Sequence, residues 1–504
     1  MTFPFLTVLA ILPLLGALLV ALTKPKAGRV VGVVTAVVTL GWAVGLIAAR
    51  QAGHLASAEA FDWLPMIGSS FRLGLDGMGL LMVALTVLLV PLVLVAEWKT
   101  GWGETGRWSS KSFVALVLLL ESFALFSFLS FDLLIFYIFF EATLIPMYFL
   151  IGGWSGKRGK AAAKFLLFGL AGGLIMLFGV IGTAVLSART GAPSLSFVDL
   201  ASAGLPGNWA TKVIFLCFFV AFALKAPMVP GHVWLPDAAE ESTPGGAALM
   251  VGLLDKLGTF GMIRVCIGVF PGESAWASPV ILILALISIL WGAFGAIGSK
   301  NLMRLVAYSS ISHFGFIVLG IFALTSQAMA GSIFYMVNHG LATGALYLVL
   351  GYLIARRGSA NVDDFGGLIK VAPLAAGFTL VAGLASVALP GTSSFVAEFQ
   401  VLAGTWSRHP VIAGVASLGV VLAAVYILWT YQRMYTGAVP EPVGRRVTTD
   451  LNWRERWALI PLVVAFLALG FWPAPAVNQA NDTASYYMTV AGQTDPVAQI
   501  EGGH

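Results

Sequence analysis

The sequence predicts an all-α integral membrane protein of about fourteen transmembrane helices, on three observations. Of 504 residues, 59% are apolar and only 10% are charged, against about a quarter charged in a soluble domain. Mean hydropathy is +0.92. Apolar runs of about 20 residues, long enough to cross a bilayer as helices, recur from one end of the chain to the other. The runs are continuous rather than alternating, so the backbone must close its hydrogen bonds within helices and not between barrel strands. A soluble enzyme is excluded.

In order, spans are predicted near residues 3–22, 30–49, 77–97, 112–130, 131–152, 162–186 and 210–229. Seven more follow near 245–268, 278–298, 304–324, 328–355, 372–403, 411–432 and 457–475. The first run lacks a basic leader and a small-residue cleavage site, so it reads as a retained span. The whole chain, 1–504, reads as one membrane domain. Net charge is +5, which in a soluble chain would suggest acidic partners. Here the basic residues set orientation, and no nucleic-acid partner is inferred. Of the 28 Lys and Arg, twenty fall in loops after odd-numbered spans, and six (Arg50, Arg72, Arg189, Lys212, Arg264, Arg408) fall on the opposite face. The positive-inside rule therefore puts the odd loops in the cytoplasm and both termini outside.

Two lysines remain, Lys225 and Lys256, and both fall inside spans, where a charge costs on the order of 3 kcal/mol or more. Glu141, Glu398, Glu121 and Asp255 are intramembrane acids. One such group can simply hold helices together by pairing with a hydroxyl or amide. A set distributed over spans four, five, seven, eight and twelve reads instead as a relay, because Ser, Thr and Asn hold helices at lower cost.

Proline interrupts two of these helices. Pro227 and Pro230 follow Lys225, and Pro390 precedes Glu398 by eight residues. Each proline removes a backbone donor and frees a carbonyl, which a membrane span tolerates only beside protein or a wet cavity. A pair of interrupted helices in corresponding halves is the sequence mark of an internal repeat. His232, His313 and His339 also lie in or beside spans, where imidazole can exchange protons near neutral pH. A satisfied core histidine is the simpler reading of each alone. The two cysteines, Cys217 and Cys266, lie in apolar runs and form no disulfide or metal pattern. No zinc-hydrolase spacing and no phosphate-cradling glycine loop is present, which leaves no metal site and no ATP-driven pump in this chain.

Five ordered segments carry a family resemblance: FYIFFEATLIPMYFLIGGW around Glu141, KAPMVPGHVWLPDA around Lys225, GLLDKLGTFGMIR around Lys256, LMRLVAYSSISHFGF around His313 and LPGTSSFVAEFQVL around Glu398. Together they resemble the antiporter-like subunits of respiratory complex I, over spans three to thirteen. Glutamate rather than lysine at 398, with too few residues after 475 for a long lateral helix, resembles the chain M branch (mitochondrial subunit 4 type).

The resemblance implies two inverted five-helix repeats, about 112–268 and 278–432, built around broken helices seven and twelve and flanked by helices 3–97 and 457–475. It implies that Glu141 and Lys225 form a controlling ion pair, that Lys256 is the central lysine, that His313 and His339 are polar members of the axis, and that Glu398 is the terminal group. Asp255, His232 and Glu121 are read as modulators; Ala239 stands where the family commonly has histidine. It also implies a proton-conducting subunit without a redox centre of its own, with NADH, FMN, iron-sulfur clusters and quinone held by partner subunits and antiporter-like neighbours on both sides.

A lysine paired with a carboxylate holds its proton more tightly than an unpaired one, so opening such a pair can send a proton onward. Three functions stay open at this point: a proton-translocating subunit of NADH:quinone oxidoreductase, a cation/proton antiporter (Mrp-type) or membrane-bound hydrogenase subunit, and a non-conducting structural subunit. Composition rich in Ala, Gly, Val and Arg suggests a bacterial plasma membrane.

Overall fold

The computed structural model describes residues 4–51, 58–98, 108–154, 159–191 and 193–496. The basic loop residues Lys99, Arg107, Lys157 and Arg158 lie outside the described residues.

Eleven single helices among the described residues are long and apolar enough to cross a bilayer: Phe5–Leu22, Pro25–Ala49, Gly77–Ala96, Ser110–Leu129, Leu133–Gly152, Lys160–Arg189, Pro244–Ile267, Pro271–Gly298, Leu302–Phe322, Ser326–Arg357 and Pro410–Tyr435. They coincide with predicted spans one to six, eight to eleven and thirteen. The other three predicted spans are each broken or bent. Span seven runs as a helix over Trp209–Lys225 and stops; the chain turns through Pro227 and Pro230 and resumes as Gly231–Trp234 and Leu235–Glu241. Span twelve is split into Pro373–Ser386 and Ser393–Trp406, with Pro390 in the gap. Span fourteen, Trp453–Phe471, is followed after a 70° bend by Ala474–Val490.

That last helix, 17 residues long, is not among the predicted elements. Its residues are too polar to register as a span, yet Ala476, Ala480, Ala484 and Met488, spaced by four, are buried on one face against spans three and eleven. The all-α expectation also misses a small antiparallel hairpin, Ala58–Leu64 with Ser69–Gly74. It ties loops to helix ends. Glu59 accepts hydrogen bonds from the Leu6 and Thr7 amides at 2.7 and 3.1 Å, which the first turn of span one cannot satisfy within the helix.

Burial sorts the spans into two classes. Spans eight and eleven are 100% buried over their most apolar stretch, with local hydropathy of 1.4, whereas spans two and thirteen are 28% and 33% buried, with hydropathy of 2.3 and 2.5. A helix facing lipid must be apolar all round. One enclosed by protein can carry polar groups, and spans eight and eleven carry Lys256 and His339. Span eight also widens into π-helical turns at Met250–Leu254 and Met262–Ile267, on either side of Lys256; such turns concentrate at functional sites.

Candidate functional site: a polar string through the membrane spans

Lys225 is the last residue of the span-seven helix and is 5% exposed. Its ammonium donates to Thr143 Oγ1 at 3.2 Å and lies 4.7 Å from the centre of the Phe140 ring. Thr143 interrupts the helix of span five and is itself anchored by donating to the Phe140 carbonyl at 2.6 Å. The direct Glu141–Lys225 ion pair that the resemblance implies is open. The two charges act on each other, but the ammonium is taken by Thr143, and Glu141 Oε1 has no hydrogen-bond partner among the described residues. The carboxylate sits against Gly173 of span six, where a Cβ would come within 2.1 Å of Oε2.

The break after Lys225 is pinned from outside. The Leu224 carbonyl accepts from the Trp234 indole at 3.0 Å, and the Val229 amide donates to Ser288 of span nine at 3.0 Å. His232 accepts from the Trp291 indole at 2.9 Å, so it belongs to this scaffold.

Lys256 is fully buried and is hydrogen-bonded to His339 Nδ1 at 2.5 Å and to the Val251 carbonyl at 3.2 Å. The His339 and His313 rings are 5.2 Å apart. His313 Nδ1 lies 2.7 Å from the Tyr335 hydroxyl, which donates to Glu398 Oε2 at 2.7 Å. With its one proton on Glu398, the Tyr335 oxygen accepts from His313, which assigns the imidazole proton to Nδ1. Nε2 is then left to accept from Ser386, at 3.3 Å, the last helical residue before the Pro390 break. Lys256, His339, His313, Tyr335 and Glu398 thus form one string across spans eight, eleven, ten and twelve. Around its far end the buried atoms Asn338 Oδ1, Ser393 Oγ, Gln400 Oε1 and Tyr426 Oη have no partner among the described residues. Buried polar atoms of this kind are the ones that ordered water satisfies in folded proteins.

Asp255 joins neither partner by a hydrogen bond: both carboxylate oxygens are buried and unpartnered among the described residues. Adjacent positions diverge by about 100° round a helix, so Asp255 points away from Lys256, although the charges of Lys256 and Lys225 both act on it. Its carboxyl is electrostatically coupled to both lysines. Glu121 is buried with both oxygens unpartnered among the described residues, and no contact brings it to the string.

Sequence reasoning missed Tyr335, although it stands four residues before His339 and so shares its helix face. It also counted Arg264 with the basic residues of the opposite face, although the predicted span 245–268 includes it. The structure puts Arg264 in the last turns of span eight, 3% exposed, paired with Asp76 at 2.7 Å. At the opposite end, where most basic residues lie, Asp237 bonds both Lys164 at 2.7 Å and Arg304 at 2.6 Å. Partial burial works against the Asp237 charge, but the bonds and charges of Lys164 and Arg304 outweigh it and hold its pKa below the ordinary aspartate value. A cavity of about 250 Å³ opens there, lined by Lys160, Lys164, Asp237, Glu240 and Glu241.

Residues 130–423 match the family described as NADH:quinone oxidoreductase/Mrp antiporter, TM. NADH-quinone oxidoreductase subunit M of Mycobacterium tuberculosis is 43% identical, over 99% of this chain and 96% of its own length. The chain belongs to this family. NADH-ubiquinone oxidoreductase chain 4 of Marchantia polymorpha, another relative, is 34% identical over 92% of this chain and 93% of its own. Among solved structures, a chain of respiratory complex I from Thermus thermophilus superposes with a TM-score of 0.86 at 31% identity, covering 97% of this chain and all of that one. A chain of the Mrp complex from Dietzia has the same fold, with a TM-score of 0.82 at 22% identity and 97% of this chain covered. The antiporter-type family is therefore shown, and with it a multi-pass membrane protein of mostly helical fold.

Proposed function

We propose that this chain is a proton-translocating membrane-arm subunit of an NADH:quinone oxidoreductase. One observation carries the reading: the buried groups Lys256, His339, His313, Tyr335 and Glu398 come together from four spans inside the protein, as two hydrogen-bonded segments whose imidazole rings lie 5.2 Å apart. Every member can both take and give a proton, which packing alone does not require. Glu141 and Lys225 supply the charge step. While Lys225 is held by Thr143, its proton is not locked by a carboxylate; when Glu141 swings onto it, the proton is retained and Lys256 feels a different field. Two unit charges 4 Å apart interact by about 4 kcal/mol at an effective dielectric of 20, equivalent to about three pKa units. Asp255, coupled to both lysines, passes that change along. Protons enter from the basic, cytoplasmic end near spans seven and eight, where the Asp237 cavity opens, cross laterally, and leave past Glu398 at the Pro390 break.

In this reading the chain carries no redox centre. NADH, FMN, iron-sulfur clusters and quinone belong to partner subunits, antiporter-like subunits flank it on both sides, the bilayer is a bacterial plasma membrane, and both termini face outward. Spans four to eight and nine to thirteen form the two inverted repeats. Subunit names of the relatives and the complex I match at 31% identity favour this over the Mrp-type reading, whose structural match lies at 22% identity. The test is Lys225→Met in the assembled complex, with proton uptake measured beside quinone reduction. Pumping falls sharply in this account, while normal pumping with normal assembly contradicts it.

A further inference from the structure

A cavity of about 480 Å³ opens at the end of the molecule opposite the basic loops, lined by Asp76, Phe131, Arg264, Asp482, Tyr486 and Tyr487 among others. Arg264 forms its floor. The guanidinium Nη1 is bonded to Asp76 at 2.7 Å and to the Tyr487 hydroxyl at 2.8 Å, and its carbon lies 4.4 and 5.0 Å from the Phe131 and Phe260 ring centres. The Arg264 side chain is 3% exposed and that of Asp76 26%, so the positive member of the pair is the inner one. Lys256 stands eight residues earlier on the same helix, about 12 Å along its axis. Between them lie Phe260, packed against Phe128 and Phe136, and Thr259, whose hydroxyl donates to the Lys256 carbonyl at 3.1 Å.

We propose that Arg264, held at the floor of this cavity by Asp76 and Tyr487, is an electrostatic plug that stops protons and other small cations of the outer solution from running back to Lys256. A guanidinium stays charged at any pH a protein meets. A fixed positive charge in a narrow, poorly hydrated passage is one of the barriers by which pores exclude protons and cations. Span eight needs one: it carries the central lysine, its helix is loosened into a π-helical turn over Met262–Ile267, and wet space reaches Arg264 from outside. Asp76 orients the plug and also caps span three by accepting from the Gly79 amide at 2.7 Å.

The plug rests on the proton-conducting reading, and the two can fail separately. The complete complex is reconstituted into vesicles with a pH-sensitive dye inside, and passive proton flux under an imposed pH step is read without NADH. Arg264→Gln raises the flux several-fold, and Arg264→Lys restores tightness. Asp76→Asn, which keeps the cap and leaves the positive charge unopposed, has a flux at or below wild type. A purely structural ion pair would make Asp76→Asn and Arg264→Gln behave alike. A wild-type flux in assembled Arg264→Gln overturns the proposal, as does a raised flux in Asp76→Asn even where Arg264→Gln does not assemble. NADH-driven uptake by wild type in the same vesicles tests conduction itself, independently of the leak.

Discussion

The two broken helices differ in how their ionisable groups are held: beside span twelve Glu398 is bonded into a chain of side chains, and beside span seven Glu141 and Lys225 are not bonded to each other. Glu398 is held by Tyr335, Tyr335 by His313, and His313 also by Ser386. Among the described residues Glu141 has one oxygen without a partner, Asp255 has two, and the hydrogen bond of the Lys225 ammonium goes to a hydroxyl. A buried carboxylate without partners is an unstable arrangement that small displacements can improve, so the span-seven side has somewhere to move. The span-twelve side is already wired. In the proposed mechanism the first is the switch and the second the conductor, so replacements on the two sides should fail in different ways.

The largest effect belongs to Glu398→Gln. An amide cannot release a proton at the end of the string, so NADH-driven proton uptake should fall by roughly tenfold or more, since each 1.36 kcal/mol added to a barrier slows it about tenfold. Uptake equal to wild type would mean that protons leave elsewhere. Tyr335→Phe comes next. It keeps the ring and removes one hydroxyl, leaving His313 and Glu398 without their shared partner, which costs about 1.5–3 kcal/mol for a bond to a charged group. Pumping should drop several-fold with assembly intact, and an unchanged rate would take Tyr335 out of the path. Gly173→Ala should act least. Its methyl would sit 2.1 Å from Glu141 Oε2, so the carboxylate must turn away. Coupling between quinone reduction and uptake should loosen while the string itself conducts, as seen in a lower proton-to-electron ratio at near-normal turnover.

The same contrast governs what could be read from the sequence. Eleven spans stood out because lipid demands about 20 apolar residues in a row. The breaks in spans seven and twelve stood out because Pro227, Pro230 and Pro390 cannot continue a helix. Ionisable groups in apolar runs marked themselves by their cost. Contacts that depend on packing left weaker marks. Tyr335 looks like any membrane tyrosine until the fold puts its hydroxyl between His313 and Glu398. Thr143 looks like a neutral helix residue until Lys225 reaches it. Arg264 was counted on the opposite face although the predicted span 245–268 contains it, and it is the approach of Asp76 and of Tyr487 on the Ala474–Val490 helix that encloses it. That helix was itself overlooked, because it packs largely through alanines and carries many polar residues elsewhere.

The central claim is that Lys256, the buried link between the switch and the conductor, hands on protons and does not merely support the fold. The measurement is the number of protons taken up per electron pair by the purified complex in vesicles, comparing Lys256→Met with wild type and with Lys212→Met, whose lysine lies in the first turn of span seven, apart from the string. The account predicts a ratio that drops in Lys256→Met and stays at the wild-type value in Lys212→Met. A wild-type ratio in fully assembled Lys256→Met would contradict it.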